Sequence, residues 1–460
     1  MKLLIFLISV LSCQTINAEI WSQFRGGSAG SISKIAHPES WSSEKNLAWM
    51  VPLEGGGWSS PVVVGNRIFM TSAVSQDGAK PKGMTAGVAS MRSFRNAKPA
   101  KQRYVLSCRN LNDGKLIWSK SVCESVPQVI HPSNTYATES PATDGKRVFC
   151  FFATNGTLSA WNLDGSELWR RELGTFKAGN GFGTGSSLAL SDGYVFVQFD
   201  NDESSFVAAF DADSGEQKWR DDRPTKTSWS TPLIWPTANR RQLVTCGSDV
   251  VTSYNVSDGS VIWRLTGMKS GFSGSPAFDS ERIFFGTSGP MSAGPLVAVN
   301  RDTEGLVKLD RNFEAPQLSW SRTRSGPGMA SPVVSNGYLY ITGSGGILNC
   351  YDTKTGERVY KKRISGMKTV VASLWGDEDR VFILDEAGKT FIVKPGAEFK
   401  LLGTNKLDDL FWSTPAIVGK TLLLRGVENL YCIRGQDATA ESNRSRIYNN
   451  VSSSSTRFSK

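Results

Sequence analysis

The chain has 460 residues, 39 % of them hydrophobic and 20 % charged, with a formal net charge of +10. After the first apolar run no segment is long and apolar enough for a membrane helix. The charge invites a nucleic-acid reading, but residues 1–18 carry +1, residues 80–103 carry +7 and residues 436–460 carry +2. Those three account for all of the excess, so the rest of the chain has no net charge, which weakens that reading.

Residues 1–18 read as a secretory signal: Lys2, the apolar run Leu3 to Leu11, and Ile16-Asn17-Ala18 before Glu19. Ser12-Cys13 hints at a lipoprotein site, but Leu11 fits that pattern poorly, and cleavage after Ala18 is the preferred reading. An N-terminal arm covers residues 19–44. The expected mature protein is exported, periplasmic or secreted.

From residue 45 to 435 one pattern recurs. It opens on a small residue plus Pro or Leu, runs through a short strand, a Gly/Asn/Asp turn and a second strand, then reaches a small residue, a turn and Trp. The openings are Pro61, Pro141, Leu188, Pro232, Pro276, Pro332, Leu374 and Pro415, mostly 41–47 residues apart, with gaps of 80 and 56. Eight copies of several short strands predict an all-β, eight-bladed β-propeller of four-stranded antiparallel blades. Ser60 to Met70 and Phe206 to Trp219 give the clearest hairpins.

The aromatic that ends each copy follows the small residue by ten positions in Cys108/Trp118, Ala209/Trp219, Ser253/Trp263 and Cys350/Tyr360, and by nine in Ala160/Trp169. Trp320 follows a longer loop. Such rings are expected to wedge between blades, each burying on the order of 150–250 Å². The seventh copy has Lys400-Leu401-Leu402 there and should dock more loosely. Leu47 to Leu53, with Trp49, looks like a Trp strand with nothing before it, while the last copy, Pro415 to Arg434, lacks one. The expectation is that the first strand completes the last blade and removes exposed edges. Residues 436–460 should be disordered.

The Trp strands with their Asn/Asp-turn-Gly preludes resemble the pyrrolo-quinoline quinone (PQQ) repeat β-propellers. These include the quinoprotein alcohol dehydrogenases and the non-catalytic outer-membrane assembly factor BamB. Trp21-Ser-Gln-Phe-Arg-Gly26, Lys45 to Trp49 and Asn134 to Pro141 resemble exported members of the same group. The dehydrogenase members set a vicinal cysteine pair against the quinone and hold a calcium with acidic and amide groups. Here no two cysteines are adjacent and no carboxylate set maps onto the calcium ligands. The expectation is therefore no catalytic residue, no PQQ and no metal.

Other chemistry is thin. His37 and His131 each precede a proline and lack ligand spacing. Gly179 to Gly185 opens no helix and lacks the Lys-Ser/Thr ending of a phosphate loop. Cys108, Cys350 and Cys432 occupy the small buried position of the repeat; Cys123 and Cys150 could pair. One constellation remains. Trp58, Trp229 and Trp412 each stand three residues before an opening, in Trp-Ser-Ser/Thr-Pro, with Glu139 in the matching loop of the second copy. They form either an aromatic face for a partner or packing that plugs the tunnel. The leading expectation is an exported, non-catalytic scaffold for protein or envelope partners. The alternatives are a PQQ-dependent dehydrogenase and a polyanion binder using the basic insertion at 72–103, with Lys80, Lys82, Arg92, Arg95, Lys98, Lys101 and Arg103.

Overall fold

A computed structural model describes residues 20–27, 32–83, 98–237, 240–288 and 293–435. The signal segment, Cys13, Arg92, Arg95 and residues 436–460 lie outside them. Eight sheets follow one another along the chain. The first strands of most neighbouring sheets touch, and the first strand of the eighth (Ala416–Val418) meets that of the first (Val62–Val64), so the ring is closed. The protein is an all-β, eight-bladed propeller of four-stranded antiparallel blades.

Alternation explains each blade. In the second strand of blade 2, Arg147–Phe152, and the third, Thr157–Asn162, nearly every residue is buried, because each face packs on a neighbouring blade. The outermost strand, Glu167–Glu172, buries Trp169 alone. Core clusters accordingly join adjacent blades, as Phe149 and Phe151 of blade 2 do with Val195 and Val197 of blade 3.

Leu47–Pro52 pairs antiparallel with Asn429–Arg434, so the outer strand of blade 8 comes from the start of the chain. Arg425 adds a second tie. Its guanidinium donates to Ser59 O (3.0 Å), Thr71 O (2.8 Å) and the Ser72 hydroxyl (3.0 Å) of blade 1.

Five outer tryptophans share one arrangement. The indoles of Trp49, Trp118, Trp169, Trp219 and Trp320 donate to a backbone carbonyl in the next blade at 2.9–3.2 Å. Each ring lies against a turn glycine of that blade: Gly114, Gly165, Gly215, Gly259 and Gly356. A methyl group on Gly215 would fall 2.5 Å from the Trp169 ring, and its φ is +69°. The hairpin turn therefore requires glycine twice over, for the backbone and for the ring.

Trp263 and Tyr360 differ from this pattern. Trp263 donates to Gln242 Oε1 (3.2 Å) within its own blade and stacks on Phe285 of the next. A strand from the long blade 5 loop, Gly305–Lys308, runs parallel to Val261–Thr266 and covers that edge as a fifth strand. Tyr360 meets Phe399 edge-on at 5.8 Å.

In blade 7 the outer strand, Lys400–Lys406, carries no aromatic. Gly403, not an aromatic, faces Ile392 at the position where Trp169 faces Ala160. Trp41 of the N-terminal arm lies in the core cluster shared by blades 7 and 8 and stacks on Phe382 at 6.2 Å. In blades 1, 2, 3 and 5 the blade's own tryptophan meets the corresponding phenylalanine at 5.7–5.9 Å. The missing wedge is supplied from elsewhere in the chain.

Candidate functional site: the tunnel and its loop face

The innermost strands are short, two to four residues, and line the axis. Immediately before each opening stands a hydroxyl residue: Ser or Thr in all eight copies. In six places the backbone N–H of this residue donates to the hydroxyl of the next blade at 2.8–2.9 Å, onto Ser140, Ser187, Thr231, Ser275, Ser331 and Thr414. Inner strands cannot pair with each other edge to edge, so side chains satisfy their leading N–H groups. The sequence carries this signal as one hydroxyl residue per repeat.

The arm runs inside this ring. Ile20–Trp21 pairs antiparallel with Val64 and Val63 on the inner strand of blade 1. Ser22 O accepts Thr143 N–H and Gln23 Oε1 accepts Leu190 N–H, both at 2.7 Å. Arg25 then takes φ +60° and sends its guanidinium to Pro276 O (2.7 Å) and Pro332 O (2.6 Å). It is 4 % exposed, and burial lowers its pKa to about 10. Gly26 follows at φ +74°, where a methyl group would fall 2.7 Å from the Trp21 ring. The Trp21 to Gly26 segment therefore folds back on itself within the tunnel. Past Ile32–Ser33, which pairs parallel with Gly376 and Asp377, the arm is clamped to blade 7. Asp377 accepts His37 N–H (3.3 Å) and bonds Arg380 (2.6 Å), and Arg380 also donates to His37 O (2.8 Å).

The loop face is filled. Trp58 and Trp412 are 5 % and 8 % exposed and stack at 5.3 Å. Met329, Val371, Leu410 and Val427 pack with them. Their indoles donate to Ser133 O (2.8 Å) and Glu386 Oε2 (3.2 Å). Trp229 stands apart from that pair. It is half-buried, donates to Gly183 O (2.8 Å) and meets Phe182 edge-on. Trp58 and Trp412 thus pack on each other, while Trp229 stands alone and half-buried.

Glu139 is 1 % exposed, and neither carboxyl oxygen has a hydrogen-bond partner of normal geometry. Burial pushes it up to about 7, with Thr184 as the largest opposing influence. Such a group cannot meet a partner at the surface. Both histidines are buried: His131 bonds the Ser133 hydroxyl at 2.6 Å and stacks on Phe182. The Gly179 to Gly185 loop spends its carbonyls on Asn134 and Trp229.

The basic insertion is partly neutralised by acids from elsewhere in the fold. Lys80 pairs with Glu428, Lys101 with Glu124 (2.6 Å) and Arg103 with Glu54. Cys108, Cys123, Cys150, Cys246, Cys350 and Cys432 carry free thiols, and burial pushes the Cys108 and Cys150 thiols up to about 12. Such thiols are poor nucleophiles. Among the described residues, no group of three or more His, Cys, Asp or Glu could hold a metal ion. None of the helices described there is long and apolar enough to cross a membrane.

A family model described as outer membrane protein assembly factor BamB matches residues 203–310. The BamB protein of Shewanella oneidensis is 21 % identical over 326 residues, 69 % of this chain and 75 % of the relative. That of Yersinia pestis is 28 % identical over 174 residues, 36 % of this chain and 41 % of the relative. The chain is similar in sequence and in fold to the PQQ-repeat β-propellers. The crystal structure of BamB from Moraxella catarrhalis superposes with a TM-score of 0.56 at 12 % identity, covering 84 % of this chain and 98 % of that one. A europium-containing methanol dehydrogenase gives 0.58 at 12 % identity, covering 89 % and 90 %. The quinohemoprotein alcohol dehydrogenase of Comamonas testosteroni gives 0.60 at 12 %, covering 92 % and 81 %. At such identities these neighbours share the architecture, which binding and catalytic propellers have in common.

Proposed function

We propose that this chain is an exported, non-catalytic propeller that serves as a binding scaffold for protein or cell-envelope partners. The observation that carries the reading is the filled axis: the arm occupies the tunnel and Trp58, Trp412, Met329 and Val371 pack at its loop face. The sequence similarity to BamB proteins supports a partner-binding role over an oxidative one. Partners would meet loop backbones and outer strands, where Leu116, Ile117, Leu306 and Leu401 are exposed.

The test places photo-crosslinking residues singly on the loop face and on the outer strands of the protein in its native host. Cross-links to the same few envelope proteins from neighbouring positions are expected. Stoichiometric binding of PQQ with calcium and dye-linked alcohol oxidation by the purified protein would overturn the reading.

A further inference from the structure

Arg25 is a cation in the middle of a protein with no carboxylate beside it. Among the described residues it makes no ion pair, its two bonds go to backbone carbonyls, and its Nε has no partner. A buried charge left without a counter-charge is costly, and carbonyl dipoles offset only part of that cost. The surrounding groups are donors as well. Thr231 and Ser275 accept backbone N–H bonds from Ser187 and Thr231, and no described residue accepts their own hydroxyl protons. Arg25, Thr231, Ser275 and Gln23, with Phe24, Gly27, Pro232 and Leu233, line one small cavity of 10 Å³. That is room for a single water-sized particle. Burial alone shifts the Arg25 guanidinium, with no carboxylate acting on it.

We propose that this cavity binds one small inorganic anion, a halide such as chloride, held by the Arg25 guanidinium and the Thr231 and Ser275 hydroxyls. A cation and two hydroxyl donors around a particle-sized space select a compact acceptor. Carboxylates and phosphate are too large for it. The bound anion would balance Arg25 and lock the arm against blades 4, 5 and 6, since Arg25 already reaches the first residues of blades 5 and 6. The site is independent of the scaffold reading, because it lies inside the ring and touches no partner surface.

The experiment uses the full mature protein. Crystals grown or soaked in sodium bromide are measured at the bromine edge, and thermal unfolding is followed in sodium chloride, bromide and gluconate at matched ionic strength. The expected results are an anomalous peak at hydrogen-bond distance from Arg25 and a melting temperature that rises by about 1–3 °C per tenfold increase in halide over gluconate. In Arg25→Met that halide dependence disappears. Absence of the bromine peak in wild-type crystals, equal melting in the three salts, or halide dependence that survives in Arg25→Met would each overturn the proposal. The wild-type diffraction decides the matter even if the variant folds poorly.

Discussion

The Trp169 ring leaves no room for a side chain on Gly215, and the backbone there is left-handed. Gly215→Ala is expected to cost about 2 kcal/mol or more, from strain plus displacement of the ring. Urea unfolding monitored by tryptophan fluorescence checks this; an unchanged midpoint would contradict the packing. Glu139 gives a prediction in pH. Its folded pKa of about 7 lies above the ordinary value of 4.5, so the folded state holds the proton more tightly. Its burial is tolerated fully below pH 4.5, and stability is lost as pH rises through 7. Glu139→Gln should gain on wild type by up to about 3 kcal/mol between pH 4.5 and 8.5. A pH-independent difference between the two proteins would remove Glu139 from this role. These residues also mark what sequence could not reveal. In sequence Glu139 is a loop residue beside Ser140-Pro141, and its burial depends on the blades that close over it.

At the scale of an element, the N-terminal arm matters most. Its motif Trp21 to Gly26 was visible only as a resemblance, and nothing local to those six residues says that they pair with Val63 or bridge Pro276 and Pro332. Trp41 was likewise mute, since a lone Trp before Lys45 has no repeat around it. The blade 7 gap was legible from Lys400-Leu401-Leu402, but its filler lies more than 350 residues away in the chain. Trp41→Ala should therefore behave like loss of a blade's own tryptophan, costing about 3–5 kcal/mol. Trp169→Ala is the comparison. Hydrogen exchange should localise the Trp41→Ala loss to the strands of blades 7 and 8. A cost below about 1 kcal/mol would mean that the arm merely lies on the surface.

Over the whole molecule, the repeat made the architecture readable. A proline or leucine opening in every copy, with a closing aromatic in the first six, marks eight blades, since each blade packs only on its neighbours. The additions escaped it: the fifth strands Gly305–Lys308 and Ile32–Ser33 pair parallel, outside the hairpin logic of the repeat. Trp58, Trp229 and Trp412 stand out in sequence by a shared Trp-Ser-Ser/Thr-Pro, yet the burial of Trp58 and Trp412 depends on their long-range packing on each other. The partly neutralised basic insertion has the same cause, with Glu54, Glu124 and Glu428 arriving from other strands.

The central claim is a sealed ring, closed by Leu47–Pro52 and threaded by residues 20–27. Native-state hydrogen exchange tests it most directly, read at the amides of Thr143, Leu190 and residues 47–52 in the mature protein and in a form lacking residues 19–44. The account predicts that in the mature protein all of these exchange only through near-global unfolding. In the truncated form the Thr143 and Leu190 amides, robbed of Ser22 and Gln23, should exchange orders of magnitude faster. Rapid exchange at these amides in the intact protein, or no change on truncation, would contradict it.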